Sequence, residues 1–555
     1  MEKFIKKYCL VILLGVVLGG AILRFYGIGS NPASLTWDEV SWGYNAYALG
    51  IDARDEFGVF LPYKFLESFG DFKPPMYAYL DILPVMVFGL TEFAVRFPSA
   101  LFGTLTVLLT YFLTRRIFST SANRELFALL AAFFLAISPW HINLSRAAFE
   151  ANVAQFFIVL GVWLFLEAVH QRRWLLVLSA VAFVASFYTF NTARIVVPFL
   201  VLILAIAHIK VLWAHKKQSI ISAMVGVLLV LPIVPFLISP QANLRFREVN
   251  IFSDLSVITR TNQEIANDNH AAWSRVIHHR YLTFSAEYVK HYLDHFNPEF
   301  LFIRGDGNPK FSTQQVGQLY LWEMGFFVGG ILLLIRRREG KWWLVPLWML
   351  IGIIPAATAR ETPHALRIET TLPTFQIITA YGVGMGIIWI AQIRNQIARI
   401  VGVSFAVILL LINVLYYLHG YYMHYPREYS TEWQYGYKES ILYTQEVSNE
   451  YDQFVVSDTL GRPYNYYTFY LKTDPKEFRT SAKVSRDVFG FVTVSEFGKY
   501  RFVRDMPNDV PANTLLIAPP YMVPEQSTRV KEFKALNGDV VFVAYTLNRE
   551  LIVEE

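Results

Sequence analysis

Two adjacent carboxylates, Asp38 and Glu39, stand in the stretch SLTWDEVSWGYNAYALG (residues 34–50), among tryptophans and tyrosines, shortly after a first hydrophobic segment. A carboxylate at an aromatic, partly dry surface can serve as general base toward a hydroxyl. The plainer reading is an acidic loop that keeps the segment outside a membrane. Lys73, in DFKPP, offers a point charge for a phosphate, and the two prolines stiffen the turn that aims it; a lysine snorkelling at a membrane surface explains it equally well. Arg96 in VRFPSA and Arg146 in SPWHINLSRAAFEAN carry the same pair of readings. Glu150 follows Arg146 by four residues, so the two either pair on one helical face or set a second active-site acid beside a phosphate-binding arginine. The stretch ARETPHALRIETTLP gathers Arg360, His364 and Arg367 into a candidate anion site. His291 and His295 have helical spacing that would suit a metal, but no third ligand accompanies them, and an aromatic interfacial helix accounts for them more simply.

The elements that must position these groups follow from composition. The 555 residues are 54% hydrophobic, 16% aromatic and 17% charged, and apolar runs recur near the length that crosses roughly 30 Å of hydrocarbon. Such windows fall at 8–26, 97–116, 126–140, 149–169, 174–190, 195–213, 219–238, 317–335, 342–358, 368–391 and 400–419. A further run, PPMYAYLDILPVMVFGL (residues 74–90), opens on two prolines and carries Asp81. If it stays outside, Lys3, Lys6, Lys7, Arg115, Arg116, Arg172, Arg173, Lys216, Lys217, Arg336 to Arg338, Arg394 and Arg399 all face one side. The positive-inside rule then makes that side the cytoplasm. Residues 74–90 are therefore read as an interfacial helix.

The fold expected is an all-α polytopic membrane protein of about eleven transmembrane helices, with interfacial helices in the first external loop and a small C-terminal external α/β domain. Residues 1–424 form the membrane body, with a first external loop at 29–96 and a large one at 240–315; residues 425–555 form the soluble external domain. In that domain the pattern reads as an amphipathic helix, a strand FVVS, a second helix, and strands in VFGFVTVSEF, TLLIAPP and DVVFVAYTL. The expected location is the plasma membrane, multi-pass, with a cytoplasmic amino terminus and an extracytoplasmic C-terminal domain.

Several classes fall away. A net charge of +5, spread over short loops, gives no nucleic-acid footprint. The single cysteine, Cys9, excludes an intramolecular disulfide. No Gly-rich phosphate loop is present, so no nucleotide site is expected. Ion-coupled transporters usually set ionisable groups at mid-membrane depth and show internal repeats, and this chain has neither pattern. A carboxylate pair, a second acid and scattered cations on one membrane face suit a substrate with a lipid tail in the bilayer and a phosphate at its surface.

TWDEV, KPPMY, VRFPSAL, SPWHINLSRAAFEAN and HALRIETTLP, in this order, resemble the GT-C superfamily of membrane glycosyltransferases. The branch they resemble contains the dolichyl-phosphate-mannose protein mannosyltransferases and the aminoarabinose transferases of lipid A. The resemblance implies an inverting transferase, hexosyl or pentosyl, that moves a sugar from a polyprenyl-phosphate donor to an acceptor hydroxyl on a lipid, glycan or protein. It implies catalysis by Asp38 as base with Glu39 as its partner and Glu150 as the second acid. Lys73 maps to the donor phosphate, and Arg96 to a family arginine near the active face. Arg146, His364 and Arg367 join the phosphate-binding candidates from the residue reading. Some relatives hold zinc through a glutamate just before the lysine; here Phe72 occupies that position and Asp71 stands one further back. The residues therefore allow a divalent metal without supporting one, and no cofactor is assigned. The competing readings are a lipid-phosphate flippase or transporter, and a membrane scaffold whose external domain binds a partner.

Overall fold

The computed structural model describes residues 2–242, 249–486 and 492–547. In chain order it opens with α1 (Glu2–Phe25), α2 (Trp37–Asp52), the hairpin β1 (Leu66–Ser68) and β2 (Asp71–Lys73), and α3 (Met76–Phe88). There follow α4 (Glu92–Ile117), α5 (Arg124–Ile137), α6 (Pro139–Ser145) and α7 (Glu150–His170), and each apolar window of the sequence holds a helix. Among the described residues, six helices are long and apolar enough to cross a membrane: Lys3–Phe25, Glu92–Ile117, Glu150–His170, Lys216–Leu237, Thr374–Ala391 and Gln396–Glu428. A seventh is added if α5 and α6, bent by 57° where they meet, form one broken span. Length and apolarity by themselves thus select six or seven of the eleven expected spans. Of the others, Leu175–Phe187, Ala193–Ala207 and Leu344–Thr358 are shorter apolar helices.

The chain divides into two compact units. The first comprises Met1–Arg24, Leu101–Ser145 and Glu150–Leu418. It is helical, and the helices Glu323–Arg337 and Thr374–Ala391 approach closely. There Gly330 faces the carbonyl of Ile378, and Gly382 that of Phe326, so closely that a Cβ on either would collide with backbone. Small residues at such a crossing let helix backbones meet where lipid provides no hydrophobic drive. Arg24 is wholly buried here; it donates to the carbonyls of Gly20, Leu135 and Ala136 and to His141 Nδ1 at 2.5 Å. Because a guanidinium only donates, His141 carries its proton on Nε2 and gives it to Gln155 Oε1 at 3.0 Å. His141 is therefore a structural clasp.

The second unit comprises Phe25–Ala100, Arg146–Phe149 and His419–Glu555. Residues expected as the first external loop thus group with the C-terminal residues. Its seven-stranded sheet runs β4 (Lys483–Arg486), β5 (Val492–Phe497), β6 (Tyr500–Val503), β3 (Gln453–Ser457), β7 (Thr514–Ala518), β9 (Val540–Leu547), β8 (Ser527–Lys534). The central strand β3 pairs in parallel with β6 and β7; the remaining pairs are antiparallel. β7 is buried at every position, which is why TLLIA reads as an unbroken apolar run. β8 forms one edge, and its lysines and mostly exposed side chains guard it against pairing with another chain. β4, β6 and β8 join the strands expected from the pattern, and the start of VFGFVTVSEF lies partly outside the described residues.

α3 lies within the expected interfacial segment. Thirteen residues reach only about 20 Å, short of the hydrocarbon thickness. It packs on α2 and buries Tyr77, Asp81 and Val85, while Leu83, Val87 and Phe88 are exposed.

Candidate active site

The acid pair opens α2, and the helix separates the two carboxylates by role. Thr36 is the N-cap: its Oγ1 accepts from Glu39 N at 3.4 Å, and Glu39 Oε2 accepts from Thr36 N at 2.9 Å. That reciprocal capping box turns Glu39 inward. Its Oε1 accepts from Arg96 Nε at 2.8 Å and from Ala148 N at 3.0 Å. Arg96 spends its other donors on Glu39 Oε2 and on the carbonyls of Ile28, Pro32 and Ser34. Both side chains are wholly buried. Glu39 and Arg96 therefore hold the loop in shape, and the guanidinium of Arg96 is engaged inside the protein.

Asp38, one position earlier, keeps 44% of its side chain exposed and accepts from Lys73 Nζ at 2.5 Å. Lys73 ends β2, just before the two prolines, and is itself 5% exposed. Its ammonium lies 4.3 Å from the ring centroid of Phe69 and 4.9 Å from that of Trp42. An aromatic cradle of this kind holds a cation without neutralising it. Of the expected site residues, the second unit thus brings together Asp38, Glu39, Lys73, Arg96 and Arg146. Arg146 is buried, donates to Tyr421 Oη at 3.1 Å and to the Asn31 carbonyl at 2.9 Å, and lies over the Tyr421 and Tyr422 rings.

Sequence reasoning missed Glu56. It is wholly buried; its Oε1 accepts from Ser68 Oγ at 2.6 Å and Asn45 Nδ2 at 3.1 Å, and Glu56 N donates back to Asn45 Oδ1 at 3.0 Å. Ser41 Oγ donates to Ser68 Oγ at 2.6 Å. This network ties α2, which carries Asp38, to the hairpin that carries Lys73. Asp55-Glu56 is a second adjacent acid pair, and that repetition was the available signal. Burial pushes the Glu56 carboxyl up to about 8; the Ser68 and Asn45 hydrogen bonds and the Lys73 charge pull it down, and Asp55 pushes it up. Tyr44 and Tyr464 also lie within its field.

A stability prediction follows from the direction of that shift. The folded protein holds the Glu56 proton to about pH 8 and the unfolded chain only to about 4.5. The contribution is therefore fully present below the unfolded value and is lost as pH rises through about 8. Glu56→Gln cannot titrate. Thermal unfolding across pH 5 to 9, in the same detergent, should show wild type losing stability relative to Glu56→Gln, by on the order of a few kcal/mol. Parallel curves would show that Glu56 does not titrate there.

The first unit holds the other expected residues. Glu150 is the first residue of α7, and Glu369, a wholly buried acid on the turn Glu369–Thr371, lies in its field. His364 is buried; its N–H donates to His295 Nε2 at 3.3 Å, its ring packs on Phe311 at 4.8 Å, and its Nδ1 stands 3.9 Å from Asp306 Oδ2. Burial, then the nearby Arg367 charge, holds the His364 imidazole well below its ordinary range. At pH 7 it is neutral and meets an anion as a hydrogen-bond donor rather than as a charge. Arg367 is half-buried and donates to the Glu361 carbonyl at 3.3 Å. His291 Nδ1 bonds the Ala359 carbonyl and His295 Nδ1 the His291 carbonyl, each at 2.8 Å. Among the described residues, no three His, Cys, Asp or Glu side chains gather at a metal-binding distance.

Residues 72–238 match the family model described as dolichyl-phosphate-mannose-protein mannosyltransferase. A putative mannosyltransferase, YkcB, of Bacillus subtilis is 28% identical over 183 residues, which are 32% of this chain and 24% of that protein. An uncharacterized protein of Aquifex aeolicus is 32% identical over 196 residues, 35% of this chain and 36% of that one. The similarity to these relatives therefore covers about a third or less of their length. Among solved structures, ArnT from Cupriavidus metallidurans bound to undecaprenyl phosphate superposes with a TM-score of 0.51 at 12% identity, covering 96% of this chain and 97% of that one. The Archaeoglobus fulgidus oligosaccharyltransferase tethered to an acceptor peptide gives 0.51 at 13% identity, over 84% of this chain and 63% of that one.

Proposed function

We propose that this chain, a polytopic membrane protein with the GT-C glycosyltransferase fold, moves a sugar from a polyprenyl-phosphate donor to an acceptor hydroxyl at the outer face of the membrane. The observation that carries the reading is the unequal fate of the acid pair. Glu39 is sealed against Arg96, while Asp38 keeps its carboxylate accessible beside a lysine held on aromatic rings. In the proposed reaction Asp38 takes the proton of the acceptor hydroxyl as its oxygen attacks the anomeric carbon. The bond from that carbon to the phosphate oxygen breaks, and its electron pair leaves with the polyprenyl phosphate. Lys73 opposes the negative charge that grows there. A single displacement inverts the anomeric centre. Arg146, Glu150, His364 and Arg367 remain candidates for donor contacts, and the basic clusters support a cytoplasmic amino terminus with an extracytoplasmic C-terminal domain.

Undecaprenyl phosphate bound to ArnT supports a polyprenyl phosphate as the carrier that the sugar leaves. The test is to incubate the purified protein in lipid nanodiscs with polyprenyl-phosphate sugars and a panel of hydroxyl acceptors, and to measure polyprenyl phosphate by mass spectrometry. Acceptor-dependent release is expected. Donor recovered intact across the panel, with translocation of the same lipid in sealed vesicles, would favour a flippase and overturn the reading.

A further inference from the structure

We propose that the C-terminal domain completes the donor site with Arg462, a second cation for the phosphate of the polyprenyl-phosphate sugar; the inference rests on the transferase reading above. The cations of the second unit next to Asp38 are largely committed. Lys73 faces Asp38 at 2.5 Å, so its charge is already opposed. Arg96 is sealed against Glu39, and Arg146 is buried over two tyrosine rings. A departing phosphate would meet little unopposed positive charge from these three, and such charge lowers the barrier to its departure.

Arg462 differs in each respect. It is exposed, and its guanidinium stands 5.5 Å from the Phe69 centroid, over the same ring that carries Lys73 at 4.3 Å. Among the described residues it forms no salt bridge; its charge acts on Asp458, which Arg504 also influences, and on the Tyr464 hydroxyl. The loop that presents it is locked to the catalytic segment at three points. Gly461 has φ +146°, and a Cβ there would stand 3.2 Å from the Trp37 indole, so only glycine lets this backbone lie against the residue preceding Asp38. Tyr464 Oη accepts from Phe69 N at 3.0 Å, and Tyr466 Oη donates to the Leu35 carbonyl at 3.2 Å. These contacts fix the stem of Arg462 and leave its head in solvent. A planar guanidinium with free paired donors suits a phosphate better than a carbonyl or a hydroxyl.

An anionic acceptor would meet the same chemistry, and the test separates the two sources. Polyprenyl phosphate itself is the probe, titrated against wild-type protein, Arg462→Ala, Arg462→Lys and Arg504→Ala in nanodiscs, with donor and acceptor KM measured alongside. Arg462→Ala should weaken polyprenyl phosphate binding by about tenfold and raise the donor KM, with acceptor KM unchanged. Arg462→Lys should recover part of the loss, and Arg504→Ala, at the position just after β6, should bind like wild type. Equal affinity in wild type and Arg462→Ala, or a change confined to the acceptor KM, would overturn the assignment. Wild-type protein that neither binds nor releases polyprenyl phosphate would instead overturn the transferase reading, and this inference with it.

Discussion

Asp38→Asn is expected to lower turnover by roughly 10²–10⁴ while leaving the fold and donor affinity close to wild type. The substitution keeps size and a hydrogen-bonding oxygen, so Lys73 retains a partner for its ammonium. It removes the ability to accept a proton near neutral pH. Asp38 itself is 44% exposed, and the buried Lys73 ammonium keeps a hydrogen-bonding oxygen and its seat on the Phe69 and Trp42 rings, so the loss of stability should stay below that of deleting a partner from a fully buried pair. Initial rates at saturating donor, with thermal unfolding of the same preparation, check both halves. Near-normal turnover on the true acceptor would remove Asp38 as the base.

Arg96→Ala should behave in the opposite way: the protein should lose its fold before its rate can be read. Removing the guanidinium leaves the Glu39 carboxylate buried with its strongest partner gone, and frees the carbonyls of Ile28, Pro32 and Ser34. Breaking a buried ion pair by deleting one partner costs about 3–5 kcal/mol. That is a large share of the stability of a typical domain. Glu39→Gln should destabilise in the same direction by less, since the amide keeps one oxygen for the Thr36 cap. The measurement is protease resistance and thermal unfolding of the detergent-solubilised variants beside Asp38→Asn. An Arg96→Ala protein as stable as wild type would show that the pair does not hold this loop.

The contrast between neighbours 38 and 39 shows where sequence reading stops. TWDEV identifies an acid pair, and the Thr36–Glu39 spacing is even a capping box in plain sight. Nothing local says that Arg96 reaches back 57 residues to take one acid and leave the other. The helices were legible because apolar windows are local and long. The two three-residue strands of the β1–β2 hairpin were not, since no periodicity fits into so few residues. Lys73 was singled out for phosphate, yet its pairing with Asp38 depends on that hairpin. Glu56 drew no reading, because its partners Asn45 and Ser68 stand 11 and 12 residues away in the chain. Arg462 was beyond reach for the same reason: the ring beneath it, Phe69, lies almost 400 residues earlier in the chain. Apolar helices declare themselves one at a time, whereas polar networks exist only after distant segments meet.

The central claim is that the sugar leaves polyprenyl phosphate in one displacement with Asp38 as base. The most direct measurement is the anomeric configuration of the new glycosidic bond, read by NMR on product made from a donor of defined configuration. A β-linked polyprenyl-phosphate sugar should give an α-linked product together with free polyprenyl phosphate. A β-linked product would mean retention, hence two displacements through an intermediate, and would contradict the account.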